Sequence, residues 1–189
     1  MPEIFSIGHS DKDFRTFVKM LSAYRIDMLV DVRTFPSSKK FPHFNKDYFE
    51  YTLPLMGIDY IHMPELGGFR KKHPKSTGNN AAWRLPAFRN YADYAYHDPA
   101  FAHAIELLKS YATDNKVAYM CSEAVPWSCH RGIVSDYMEA IHKWKVTHII
   151  SPTKTLDNKL HEHAIIENEK LIYPNTIGNC NDCSNSIWP

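Results

Sequence analysis

Two cysteines, a glutamate, a histidine and an arginine fall within eleven positions of YMCSEAVPWSCHRGIVSDYMEA, residues 119–140, between an apolar run and an amphipathic one. Cys129, His130 and Arg131 open the amphipathic run. That places them at the start of a helix, where unpaired backbone N–H groups and the macrodipole favour negative charge. A cysteine in such a place, beside histidine and arginine, has its pKa lowered, so Cys129 qualifies as a nucleophile or redox thiol. Two other readings fit the same residues. Arg131 and the helix N-terminus could hold a phosphate or carboxylate with Cys129 packed beneath it, or Cys129 could be a small buried hydrophobe.

Such residues need elements to position them, and the chain alternates β and α patterns. EIFSIGHS reads as a strand from Ile4 to Ile7 that ends at Gly8. A helix capped by Asp11 follows, with Phe14, Phe17, Val18, Leu21 and Tyr24 on the 3.6 period. IDMLVDVR is a second strand, apolar from Met28 to Val32 except at Asp31, as suits a strand covered on both faces. TFPSSKKFPHF, with Pro36 and Pro42, reads as a long loop before a helix over 46–56 that Gly57 stops. IDYIHMP is the third strand and ELGGFRKKHPKSTGNN a loop. Helices near 85–96 and 99–112 lead to the fourth strand, KVAYMC; the CHRGIV helix and the fifth strand, VTHIIS, follow. The pattern predicts one more helix in HEHAIIENEKLIY and an irregular tail from about 174. Strands alternating with helices imply a single α/β domain over 1–189, a three-layer α/β/α sandwich with a mainly parallel sheet of about five strands.

In open parallel sheets the functional crevice lies beyond the carboxyl ends of the strands. The polar residues that close the proposed strands are His9 and Ser10, Asp31 and Arg33, Glu65 with Gly67 and Gly68, and Cys121 with Glu123. The expectation is that His9, Asp31, Glu65, Glu123 and Arg131 meet around one hollow. In an enzyme for an anionic substrate, a nucleotide or a nucleic-acid end, the catalytic set is His9, Asp31, Glu123 and Cys129. Asp31 or Glu123 then serves as general acid or base and His9 as proton shuttle. Arg33 and Arg131 bind the anion, and Ser10, Glu65, Gly67, Gly68 and His130 complete the substrate set. A structural Asp31–Arg33 pair accounts for those two residues equally well.

SIGHS, LVDVRTFPSSKKFPHFNK, YIHMPELGG and CSEAVPWSCHR resemble the successive signatures of the domain-of-unknown-function family number 488. In that family a Gly-His-Ser turn, a Val-Asp-Val-Arg strand end, a Phe-Asn element, a Pro-Glu-Leu-Gly-Gly loop and a Cys-x-Glu to Cys-His-Arg segment occur in this order. The likeness covers about Ile4 to Ser151. It implies an α/β fold and a site built from the shared motifs, which adds Asn45 to the substrate-binding set; no reaction comes with it. Ser122 stands where the family commonly has alanine, and Ala124-Val125 where charged residues are usual, which makes this turn less polar.

The 189 residues, 44% hydrophobic and 13% aromatic, can bury a full core, and a formal net charge of +1 gives no global nucleic-acid or membrane signal. Local signals exist. RTFPSSKKFPHFNK holds four basic residues and no acid among Phe35, Phe41 and Phe44, and FRKKHPK adds Phe69. A non-catalytic nucleic-acid-binding module using loops 33–46 and 69–75 is therefore the alternative. No stretch approaches the roughly 20 apolar residues that span a bilayer, and MPEIFSIGHSDKD lacks a signal-peptide pattern, so a cytoplasmic protein without a membrane partner is expected. Cys180-x-x-Cys183 has half-site spacing for zinc and could join Cys121 and Cys129, or His161 and His163. It is half a motif, so no metal set is assigned and the cofactor stays open. A rhodanese-type layout is weakened by Val125-Pro126-Trp127 where a compact amide loop should be. Strand order and oligomeric state are not readable.

Overall fold

Alternate residues of the central strands point to opposite sides of one sheet, and each side carries its own helices. The computed structural model describes residues 1–175. Strands β1 (Glu3–Gly8), β2 (Met28–Asp31), β3 (Asp59–His62), β4 (Val117–Cys121) and β5 (Lys145–Ser151) are parallel; β6 (Lys154–Asp157) adds an antiparallel edge. The order is β3-β2-β4-β1-β5-β6. Phe5, Ile7, Leu29, Ala118, Met120 and Ile149 pack against Phe17, Met20 and Leu21 of α1 (Phe14–Ala23) and Phe49 of α2 (Lys46–Thr52). Ile4, Val30, Val117, Tyr119 and Val146 face α3 (Pro86–His97), α4 (Pro99–Asp114) and α5 (Arg131–Ala140). Each fully buried side chain of this size contributes about 2 kcal/mol, so the two cores fix the strand register. The result is the three-layer sandwich read from the sequence.

Local signals set the helix ends. Asp13, not Asp11, caps α1: its carboxylate accepts from the Thr16 N–H at 2.8 Å. Gly57, at φ +73°, closes the turn after α2, and Asp98 with Pro99 starts α4. Helix α5 begins at Arg131; Cys129 is extended and precedes it, after a tight turn at Pro126–Ser128. Among the described residues no helix is long and apolar enough to cross a membrane.

The helix predicted in HEHAIIENEKLIY is instead a hairpin of β7 (Ile165–Glu167) and β8 (Lys170–Ile172). Asn168 and Glu169 both take positive φ, +50° and +60°, the form of a two-residue turn that matches strand twist. Apolar pairs on either side of Asn-Glu carry that signal, and a helical period accommodates the same residues. Strand β6 went unread because Lys154–Asp157 is half-exposed and too polar to stand out. The tail, with Cys180 and Cys183, lies outside the described residues.

Candidate functional site

Strand β1 ends where β4 ends, and the chain after each crosses the other. His9 and Ser10 N–H groups continue the ladder onto the carbonyls of Cys121 and Ser122, at 3.1 and 2.7 Å. The crossing requires Gly8, since a Cβ there would lie 1.8 Å from the Glu123 carbonyl oxygen. With the loop after β2 and the Gly67-Gly68 turn, these segments enclose a cleft of about 690 Å³ at the carboxyl edge of the sheet.

Seven of the twelve catalytic and substrate-binding residues named from sequence line this cleft: His9, Ser10, Arg33, Gly68, Glu123, Cys129 and His130. Asp31, fully buried, stands behind Arg33 and accepts its Nε at 2.9 Å, its Nη2 at 2.5 Å and the Tyr60 hydroxyl at 2.8 Å. Arg33 reaches on to the Phe44 carbonyl at 2.7 Å and places Nη1 3.3 Å from His9 Nε2. Nδ1 of His9 then carries the proton and donates to the Ser10 carbonyl at 2.8 Å. Burial, reinforced by the Arg33 charge, drives the His9 pKa down to about 4. His9 is therefore neutral at pH 7.

Arg131 lies beneath the cleft, 1% exposed, and donates to the Ser6 hydroxyl at 3.0 Å and the Glu123 carbonyl at 2.5 Å. Glu65 and Asn45 are not among the cleft residues. Glu65 is exposed and its carbonyl receives Arg70 and Tyr94; Asn45 Oδ1 accepts the Ser38 N–H at 2.5 Å and folds the loop after β2. Gly67 sits against Thr34, where a Cβ would be 2.5 Å from Oγ1.

Sulfur and imidazole gather on the cleft floor. His130 Nδ1 is 3.5 Å from Cys129 Sγ and 3.9 Å from Cys121 Sγ, while Nε2 donates to the Val32 carbonyl at 3.0 Å. Burial alone would raise the Cys129 thiol, but a hydrogen bond from Cys121 and the charge and N–H donors of Arg131 outweigh it and bring the pKa to about 6. Cys121, as the donor to that thiolate and by burial, is pushed up to about 12. The sequence named Cys121 as a strand end and, with Cys129, as a candidate zinc ligand; its contact with His130 needed the fold.

Above the floor, Phe35 and Phe69 stand 70% and 67% exposed on separate loops with ring centroids 6.2 Å apart, and Lys40 and Phe41 complete the rim. Phe44, counted from sequence with the loop aromatics, is instead fully buried, stacked on His9 at 4.2 Å. Its i,i+5 relation to Phe49 hid it as a core residue, because the turn at Pro42–Phe44 interrupts the helical period.

The family described as Domain of unknown function DUF488 matches residues 13–138, about two thirds of the chain, and the chain belongs to it. Comparison with curated proteins and with solved structures gives no match.

Proposed function

We propose that this member of the DUF488 family is an enzyme whose cleft takes a phosphate-bearing ligand with a planar ring, a nucleotide or a nucleic-acid end. One juxtaposition carries the reading: an exposed aromatic and cationic rim stands over a buried floor of thiolate and imidazole. Phe35 and Phe69 offer π-faces, and stacking on such a face contributes about 1–3 kcal/mol per base. Lys40 and the hydroxyls of Ser37 and Ser38 supply donors to phosphate oxygens. Glu123, exposed at the cleft, is the general acid or base, and neutral His9 forms part of the cleft wall beside it. Asp31 acts through Arg33, which orients His9.

The test combines native mass spectrometry of the purified protein with anisotropy on a short single-stranded oligonucleotide. Binding that falls with salt and weakens about tenfold in Phe35→Ala and Phe69→Ala supports the reading, as does loss of phosphoester turnover in Glu123→Gln. Absence of any ligand at millimolar nucleotide or oligonucleotide sinks it. The exposure of Phe35 and Phe69 on two basic loops also favours a second reading, a non-catalytic nucleic-acid-binding module. Tight binding with no product, unchanged in Cys129→Ala, selects that one.

A further inference from the structure

We propose that Cys121, Cys129 and His130 hold a zinc-class divalent ion with a fourth position open to the cleft. The proposal rests on the functional reading above only for what fills that fourth position. The three ligand atoms lie within 4.8 Å of one another, and the imidazole nitrogen is 3.5 and 3.9 Å from the two sulfurs. A tetrahedral ion with metal–sulfur bonds of ~2.3 Å and a metal–nitrogen bond of ~2.0 Å separates sulfur from nitrogen by about 3.5 Å. The Cys129–His130 spacing is that of a coordination shell, and Cys121 needs to close by about 0.4 Å to complete it.

The histidine is already in the ligating tautomer. Its Nε2–H is fixed on the Val32 carbonyl, so the Nδ1 lone pair faces the sulfurs, the arrangement that outer partners impose on metal-binding histidines. Gly68 leaves the cleft side of Nδ1 clear, because a Cβ there would come within 2.4 Å of it. Binding displaces the thiol protons, and the two thiolates so formed balance the charge of a dication inside the protein. The end of β4 supplies Cys121, and the two residues between the Pro126–Ser128 turn and α5 supply Cys129 and His130, so one ligand is held by the sheet and two by the helix entry.

All three residues line the cleft, so the fourth ligand comes from it: a water, or a phosphate oxygen of the bound ligand. Three protein ligands and one open position is the pattern of catalytic zinc. Such an ion also answers a need of the site. Arg33 and Arg131 are both engaged with protein oxygens, and the ion supplies the electrophile that neither arginine offers.

Cobalt(II) is the probe. Full-length reduced protein, stripped with chelator, should bind one equivalent, show tetrahedral visible bands and a sulfur-to-cobalt charge-transfer band, and release the cobalt to added zinc(II). Cys129→Ser and His130→Asn, checked for native circular dichroism, should lose about 100-fold or more in affinity. The Cys180→Ser/Cys183→Ser variant should keep the bands. Failure of the wild-type protein to bind cobalt overturns the proposal, as do bands that vanish in Cys180→Ser/Cys183→Ser and survive in Cys129→Ser. Oligonucleotide binding by the stripped protein tests the cleft separately: if it persists while cobalt fails, only the metal site falls.

Discussion

Arg33 grips the Asp31 carboxylate at two points, Nε at 2.9 Å from Oδ1 and Nη2 at 2.5 Å from Oδ2, two residues apart at the end of β2. Arg33 is 6% exposed and Asp31 not at all, and the pair joins β3 through Tyr60, the loop after β2 through Phe44, and β1 through His9. Removing one member leaves a buried charge without its partner. Arg33→Ala is expected to cost about 3–5 kcal/mol in urea unfolding, while the double change Asp31→Leu/Arg33→Leu costs distinctly less. A double variant as unstable as the single one would show that the ion pair itself, not the orphaned carboxylate, holds the strand ends.

Two glycines of the shared motifs differ in what they make room for. At Gly8 an added Cβ meets backbone, the Glu123 carbonyl at 1.8 Å, which cannot move without breaking the β1–β4 crossing. At Gly68 it meets the His130 ring at 2.4 Å, and a ring can turn at the expense of its bond to Val32. Gly8→Ala should therefore destabilise by about 2 kcal/mol more than Gly68→Ala. Gly68→Ala should fold, yet show an altered His130 imidazole resonance in NMR. Equal melting temperatures for the two variants would contradict this.

The sequence made the site's membership more legible than its geometry. Apolar strands ending in Gly8, Asp31 and Cys121 were enough to put three loops on one edge, because a parallel sheet leaves them nowhere else. What a cation at a helix start does not reveal is depth: the Arg131 guanidinium is 1% exposed and reaches the Ser6 hydroxyl of β1 and the Glu123 carbonyl. The partnership of Cys121 with His130, and of Ser6 with His148 at 2.9 Å, spans nine and 142 positions. No local pattern encodes such contacts.

His148 and Asp136 share Asn158, and their titrations oppose each other. His148 Nε2 donates to Asn158 Oδ1 at 3.1 Å, and Asn158 Nδ2 approaches Asp136 at 3.4 Å and Glu139 at 3.0 Å. Burial lowers the His148 pKa to about 4, helped by the nearby Arg131 charge, so its contribution is full above the unfolded value of 6.5 and is lost as pH falls to 4. Burial raises Asp136 to about 8 against donors from Asn158, Tyr173 and the His161 N–H; its contribution is full below 3.8 and is lost as pH rises through 8. Between pH 4 and 6.5 the two cancel, one proton taken up and one released on unfolding. His148→Gln should lower the net proton uptake on unfolding by about one in this window, and Asp136→Asn should raise it by about one. The pH dependence of urea-unfolding free energy reads both. A His148→Gln slope equal to that of the wild type would place the histidine's titration elsewhere.

The β7–β8 turn offers a stability gain that its sequence does not use. Asn168 tolerates its φ of +50°, but Glu169 at +60° has a Cβ crowded against backbone, at a cost of about 1–2 kcal/mol. Glycine removes that crowding and gives back about 0.4–1 kcal/mol through the greater freedom of the unfolded chain. The hairpin is not a loose appendage: Leu171 and Tyr173 are fully buried, the Tyr173 hydroxyl donates to Asp136 at 3.1 Å, and Tyr137 bonds both the N–H and the carbonyl of Leu171. Turn strain is therefore felt in global unfolding. Glu169→Gly should stabilise the protein by about 0.5–1 kcal/mol, while Glu169→Val, whose branched Cβ fits positive φ worst, should destabilise it by about 1 kcal/mol. Since the side chain of Glu169 is exposed, little else changes. If both variants unfold at the urea midpoint of the wild type, the turn either opens before the core or does not hold its left-handed form.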